Sequence, residues 1–241
     1  LDCYDLGAPR GEEGEGVTYS AAQDIIVRQF GEFAPGMATF AARALREGWI
    51  EVEDRPGKRG GGFCTEVAAR SETRIFMTWA ANDKAPATLA HELGHAFHAE
   101  VLFERPVAQR RLPMTLAETA STFAEALIRE ATRAQASTPG ARLRLLDNSL
   151  QDAAAFLCNI PARFELERAF YGMRREGPLS PEELGAATER IYTEWYGGQL
   201  GVVDSLFWAR KLHFFIPGIA FYNYPYTFGF LFANLVYEAF R

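Results

Sequence analysis

Apolar residues recur at intervals of three and four positions over most of this chain, and this spacing places them on one face of an α-helix. The pattern predicts two early helices in the stretches YSAAQDIIVRQFGEF and MATFAARALREG, the first with Ser20 as its N-cap. Later helices are predicted at 86–103, 115–135, 140–172, 181–197 and near 226–240. Ser180 is expected to cap the fourth of these, with Pro181 as its first residue.

Between the early and the later helices the pattern changes from helical to alternating. WIEVED alternates, and GFCTEV and RIFMTWA have the composition of short strands. The Gly-rich stretch RPGKRGGG is expected to form a hairpin turn; Arg59 follows Lys58, where a phosphate-binding loop requires Ser or Thr. The predicted fold class is therefore mainly α (α+β), with a small β-sheet immediately before the helix at 86–103. We expect 1–241 to form a single domain.

Composition and charge exclude some partners. The net charge of −6 and the absence of a basic run argue against a nucleic-acid partner. Three cysteines that lie far apart favour a reducing compartment, and we expect a cytoplasmic protein without disulfides. The stretch 212–237 carries no Asp, Glu, Lys or Arg, but its prolines and asparagines favour a buried loop and helix over a membrane span. The sequence gives no indication of the oligomeric state.

The stretch TLAHELGHAFH holds three of the four histidines of the chain. His91 and His95 are four positions apart, so their side chains project from the same face of a helix and can share one metal ion. Glu92 points about 100° away, where its carboxylate can act as a base on a water without binding the metal. The motif is short, and an amphipathic helix with solvated His and Glu residues is the alternative. Leu89 and Leu93, however, lie on a separate apolar face, which favours a zinc site.

A third protein ligand is needed to complete such a site. His98 is seven residues from His91, about 10 Å along the helix axis, so we expect it near the site but not on the metal. Glu118 lies on the next predicted helix, whose antiparallel return would bring it level with the histidines. It also fits a capping box that begins at Thr115. The residues alone leave both interpretations of Glu118 open.

Several segments resemble the zinc oligopeptidases of the oligoendopeptidase F and thimet oligopeptidase family. They are TLAHELGHAFH, LAETASTFAEAL and FYNYPYTFG, together with YDLGAP, GWIEVEDRPGKRGGGF, RFELERAFY, YTEWYGG and FWARKLHFF in the same order. The resemblance implies a helical zincin-type catalytic domain that holds one Zn²⁺ with His91, His95 and Glu118. The chain resembles the catalytic portion only, so we expect a fragment without the N-terminal helical domain and the C-terminal end.

The same family uses a histidine and tyrosines of a late aromatic loop to stabilise the tetrahedral intermediate. The resemblance assigns the main role to Tyr224, with Tyr222 nearby and His213 as the histidine. The expected function is that of a zinc-dependent endopeptidase acting on short peptides, with Glu92 as the base and the strand RIFMTWA pairing with the peptide backbone. A related zinc metallocarboxypeptidase and a non-catalytic peptide-binding module are the alternatives.

Overall fold

The structure, a computed structural model, describes residues 2–8, 10, 16–58 and 60–240. It is mainly helical with one small sheet, as the sequence predicts. The helices are α1 (Tyr19–Phe33), α2 (Pro35–Arg46), α3 (Ala85–Phe103), α4 (Thr119–Gln135), α5 (Pro139–Ala154), α6 (Ile160–Arg174), α7 (Pro181–Trp195), α8 (Phe207–Arg210) and α9 (Tyr224–Phe240). The strands are β1 (Ile50–Glu51), β2 (Gly62–Val67) and β3 (Glu72–Met77).

Local sequence signals predict the N-cap of one helix correctly and that of another incorrectly. Ser180 caps α7 through a reciprocal capping box with Glu183, and Pro181 is the first residue of the helix. The prediction of Ser20 as the cap of α1 is wrong. Thr18 takes this position instead, since its backbone is extended and its side chain accepts a hydrogen bond from the Ala21 N–H.

The predicted helix 140–172 is interrupted. A five-residue π-helical turn, Ala155–Asn159, separates α5 from α6. Pro161 follows at the start of α6 and has no N–H with which to continue the α-helical pattern.

The sheet has the strand order β1-β3-β2, with β1 parallel and β2 antiparallel to β3. Because β3 is central, the expectation that RIFMTWA pairs with a peptide is wrong; β1 and β2 have the open edges among the described strands. The expected hairpin at RPGKRGGG is also wrong. This stretch connects β1 to β2, which do not pair, and its Arg59 lies outside the described residues. The hairpin joins β2 to β3 and turns at Ser71, which has a left-handed backbone.

The chain divides into two compact units. The first, here called the HExxH unit, comprises Gly11–Leu146 and Gly229–Arg241. Its core gathers side chains from α1, α2, α3, α4 and the sheet, among them Phe30, Leu89 and Leu93.

The second unit, here called the tyrosine unit, comprises Leu1–Arg10 and Asp147–Phe228. Its core contains Ala162, Leu166, Ala187, Ile191 and Tyr192, which belong to α6 and α7.

The uncharged stretch 212–237 forms separate elements. It consists of a 3₁₀ turn at Leu212–Phe215, a loop, and most of α9. None of the helices in the described residues has both the length and the apolar character needed to cross a bilayer.

Candidate metal centre

The HExxH motif lies on α3, which buries its apolar face in the core of the HExxH unit. Leu89 and Leu93 are fully buried, and α4 forms its main contact with α3. Gly94, between the two histidines, permits this contact. A Cβ atom at Gly94 would lie only 2.7 Å from the carbonyl oxygen of Ala120 and 2.8 Å from the Cα of Ser121. The glycine thus lets the backbone of α4 approach α3 closely.

Glu118 stands at the N-cap position of α4, which begins at Thr119. The capping box from Thr115 is therefore not the start of this helix; Thr115 lies in the 3₁₀ turn Met114–Leu116. The Glu118 side chain makes no capping hydrogen bond, and its Oε2 accepts one from the Ser121 hydroxyl at 3.0 Å. The side chain is buried and directed toward α3.

His91, His95 and Glu118 place three potential ligand atoms together. Oε2 of Glu118 lies 3.3 Å from Nε2 of His91 and 3.3 Å from Nε2 of His95, and the two Nε2 atoms are 3.1 Å apart. Ligand atoms that lie about 2.0–2.1 Å from a tetrahedral Zn²⁺ are roughly 3.4 Å from one another, so this triangle fits such an ion. These residues form the one group with metal-ligand spacing in the part of the chain that the structure describes.

Glu125 has a place at this site that the sequence did not assign. Its Oε1 lies 2.5 Å from Nδ1 of His91, and its Oε2 forms an ion pair with Nη1 of Arg129 at 3.3 Å. A carboxylate on the far nitrogen of a histidine fixes the ring orientation and leaves Nε2 free for a metal. The seven-residue spacing from Glu118 was the available signal, because it places both carboxylates on the same face of α4.

The electrostatics of this cluster favour a cation. Burial lowers the pKa of His91, but hydrogen bonds to Glu118 and Glu125 more than reverse this and raise it to about 10. Burial raises the pKa of Glu118, yet the hydrogen bonds from the two histidines outweigh it, so the pKa falls below its usual range. The buried carboxylates therefore require a positive charge between them, which a proton or a metal ion can supply.

Glu92 is 5% exposed and lies beside this cluster, since His91, His95 and Glu118 all act on its charge. Burial raises the pKa of its carboxyl group. Its Oε2 atom has no hydrogen-bond partner among the described residues. The first residue of β2 packs directly on it, because a Cβ at Gly62 would lie 2.8 Å from Oε1 of Glu92. A buried carboxylate oxygen without a partner is rare and points to a role in chemistry.

His98 does not belong to the ligand group, in agreement with the helix geometry. It lines an apolar cavity of about 380 Å³ together with Gly94, Phe97 and residues of α1, α2, α4 and α9. Burial, and then the nearby His95, lowers the pKa of His98.

The late aromatic residues belong to the tyrosine unit. His213 lies in the 3₁₀ turn Leu212–Phe215, and Tyr224 begins α9. The His213 ring lies 4.8 Å from the ring of Tyr222 and stacks at 6.5 Å on that of Tyr226, a tyrosine that the sequence did not single out. His213 and Tyr222 are thus in contact, and the assignment of roles to His213, Tyr222 and Tyr224 stays a prediction.

Comparisons with known proteins agree with these observations. A family model described as peptidase family M3 matches residues 36–241. Oligopeptidase PepF of Bacillus subtilis is 28% identical over 233 residues, which is 94% of this chain and 34% of that protein. Group B oligopeptidase PepB of Streptococcus agalactiae is 28% identical over 249 residues, or 99% of this chain and 40% of that protein. The chain thus spans between a third and two fifths of the length of these relatives.

A solved structure of PZ peptidase A with an inhibitor has the same fold. It superposes with a TM-score of 0.75 at 19% sequence identity, over 99% of this chain and 43% of that one. The mainly α fold with its small sheet is therefore the fold of a known peptidase, as the sequence predicts.

Proposed function

The chain belongs to peptidase family M3, and on this premise we propose that it is the catalytic portion of a zinc-dependent endopeptidase that hydrolyses short peptides. The observation that carries the proposal is the arrangement around Glu92. A buried carboxylate whose Oε2 has no hydrogen-bond partner in the described part of the chain lies beside three ligand atoms whose separations, 3.1–3.3 Å, suit a tetrahedral metal.

In this proposal His91, His95 and Glu118 hold one Zn²⁺. Such an ion, when bound, polarises a carbonyl group and makes a water more acidic. Glu92 accepts the proton of the attacking water and then delivers it to the nitrogen of the leaving amine. Glu125 keeps the His91 ring in the orientation that directs Nε2 toward the ligand triangle.

The substrate backbone is proposed to pair with the open edge of β2. This edge begins at Gly62, which packs against the Glu92 carboxylate. A peptide that adds to the sheet here would pass next to the base, and main-chain pairing would tolerate many side chains. Pairing with β2 takes the place of the peptide pairing that was expected for β3.

Tyr224 is proposed to donate a hydrogen bond to the oxyanion, with His213 and Tyr222 as members of the same group. We expect Tyr224→Phe to lower kcat by roughly 10²–10³-fold with little change in KM, because this contact forms only in the transition state. Steady-state kinetics on a fluorogenic peptide measure both constants. Tyr4→Phe, which changes an exposed tyrosine of the same unit, is the control. A loss at Tyr222→Phe and none at Tyr224→Phe would show that the assignment is shifted by two residues.

The function itself is tested with an internally quenched peptide that is blocked at both ends. We expect about one Zn²⁺ per chain by elemental analysis, internal cleavage of the peptide, loss of cleavage with a chelator, and recovery when Zn²⁺ is added. A metallocarboxypeptidase would leave the blocked peptide intact and trim one with a free C-terminus. A binding module would retain zinc and bind peptide without cleaving either substrate. Both of these outcomes contradict the proposal.

A further inference from the structure

A fully buried amide lies beside His213 in the tyrosine unit. Asn223 is 0% exposed, and its Oδ1 lies 2.8 Å from Nδ1 of His213. The same oxygen accepts a hydrogen bond from Nη1 of Arg163 at 3.3 Å. One amide oxygen therefore contacts both a guanidinium group and an imidazole nitrogen.

Arg163 determines which way this amide points. A guanidinium group can only donate hydrogen bonds, so the atom of Asn223 that faces it must be the oxygen. Because Nδ1 of His213 contacts that same oxygen, Nδ1 must carry the hydrogen. In a neutral imidazole the other nitrogen, Nε2, then has a lone pair and no hydrogen.

The surroundings keep His213 neutral. Burial lowers the pKa of His213, and this outweighs the opposing hydrogen bond to Asn223; the positive charges of Lys211 and Arg163 lower it further. An ordinary histidine has a pKa of about 6.5. A histidine whose pKa lies below that value is predominantly neutral at pH 7.

Helix α6 holds the segment that carries Asn223 at two points. Glu167, one helical turn after Arg163, is buried and accepts a hydrogen bond from the Phe221 N–H at 2.6 Å. Phe221 has a φ of 57°, a left-handed conformation that bulky residues rarely adopt. A strained conformation persists only where its surroundings impose it. Arg163 and Glu167 thus anchor both ends of the short segment 221–223.

We propose that Asn223 is a positioning residue that holds His213 in the Nδ1–H tautomer, so that Nε2 of His213 accepts a hydrogen bond and does not donate one. One consequence rests on the peptidase function proposed above. Nε2 of His213 then cannot donate a hydrogen bond to the oxyanion, which leaves that role to the Tyr224 hydroxyl proposed above.

The tautomer is measured directly in the resting, ¹⁵N-labelled protein by long-range ¹H–¹⁵N correlation of the imidazole rings at neutral pH. His213→Gln identifies the His213 signals by their loss. We expect a protonated Nδ1 and an unprotonated Nε2 in the parent protein, and a protonated Nδ1 in Asn223→Asp, which keeps an acceptor oxygen but adds a negative charge that favours the imidazolium form. Asn223→Leu removes about one hydrogen bond, so the ratio of the Nδ1–H to the Nε2–H tautomer should fall by roughly 5- to 10-fold. Asn159→Leu, which changes a half-buried amide of the same unit that bonds to Tyr196, should leave the ratio unchanged.

An Nε2–H tautomer in the parent protein would overturn the proposal, as would an unchanged ratio in a folded Asn223→Leu. If Asn223→Leu does not fold, the parent and Asn223→Asp spectra decide the question without it. The measurement needs no substrate and no metal. Its failure is therefore distinct from a failure of the peptidase assignment, which the blocked peptide tests.

Discussion

Glu92→Gln is expected to lower peptide hydrolysis by roughly 10²–10⁴-fold, the effect of losing a general base, while metal content and thermal stability stay close to those of the parent. Glutamine keeps the size of the side chain but cannot accept the proton of the attacking water. Glu92 contributes no atom to the ligand triangle, so its replacement leaves His91, His95 and Glu118 in place. Its Oε2 has no partner among the described residues that the substitution could disrupt.

The measurement combines kcat/KM on the blocked peptide, the zinc-to-protein ratio and the melting temperature. Glu100→Gln is the matched control, because Glu100 lies on the same helix and pairs with Arg43 on α2. We expect this control to retain activity. A Glu92→Gln protein that cleaves at a near-normal rate would refute the mechanism. A variant that loses its zinc would show that Glu92 holds the site together and is not primarily a base.

Glu118→Ala is expected to weaken zinc binding most among three carboxylate changes on α4 and its N-cap. It removes one corner of the ligand triangle and leaves two histidines, which make an incomplete site. Glu125→Gln, which disturbs the contact to Nδ1 of His91 and the ion pair with Arg129 but removes no ligand atom, should weaken zinc binding by roughly 10–100-fold. Glu130→Gln is the control, because Glu130 lies on the same helix, is partly exposed and pairs with Arg133.

Competition with a chromophoric chelator gives the zinc dissociation constants of the three variants. The expected order of the losses is Glu118→Ala, then Glu125→Gln, with Glu130→Gln unchanged. A Glu118→Ala protein that binds zinc like the parent, but melts at a lower temperature, would show that Glu118 stabilises the start of α4 and is not a zinc ligand. Equal losses at Glu118→Ala and Glu125→Gln would contradict the distinction between ligand and orienting residue.

The features that the sequence predicted correctly all depend on neighbours within one or two turns of chain. The four-residue spacing of His91 and His95 places both rings on one side of α3, because every α-helix has about 3.6 residues per turn. The capping box of Ser180 and the extent of β2 follow in the same way from local signals. Where such signals compete, as for Thr18 and Ser20, the choice was wrong by two residues.

Local sequence patterns could not determine the role of the Glu118 side chain. The residues left a metal ligand and a helix cap equally possible, and only the resemblance to zinc oligopeptidases favoured the ligand. In the structure the close contact at Gly94 brings α4 against α3, and the Glu118 carboxylate then lies 3.3 Å from both histidines. That distance depends on how two helices pack, which neither helix specifies by itself.

Three further features required the tertiary structure. Among the described strands β2 lies at an edge of the sheet and β3 lies between two strands, the Glu125 carboxylate orients His91, and Arg163 fixes the amide that holds His213. The sequence determined which side chains are present and which of them share a helix face, because backbone geometry repeats over a few residues. Contacts between residues that lie 34 or 60 positions apart are decided by the burial of apolar faces and by the pairing of strands across the folded units.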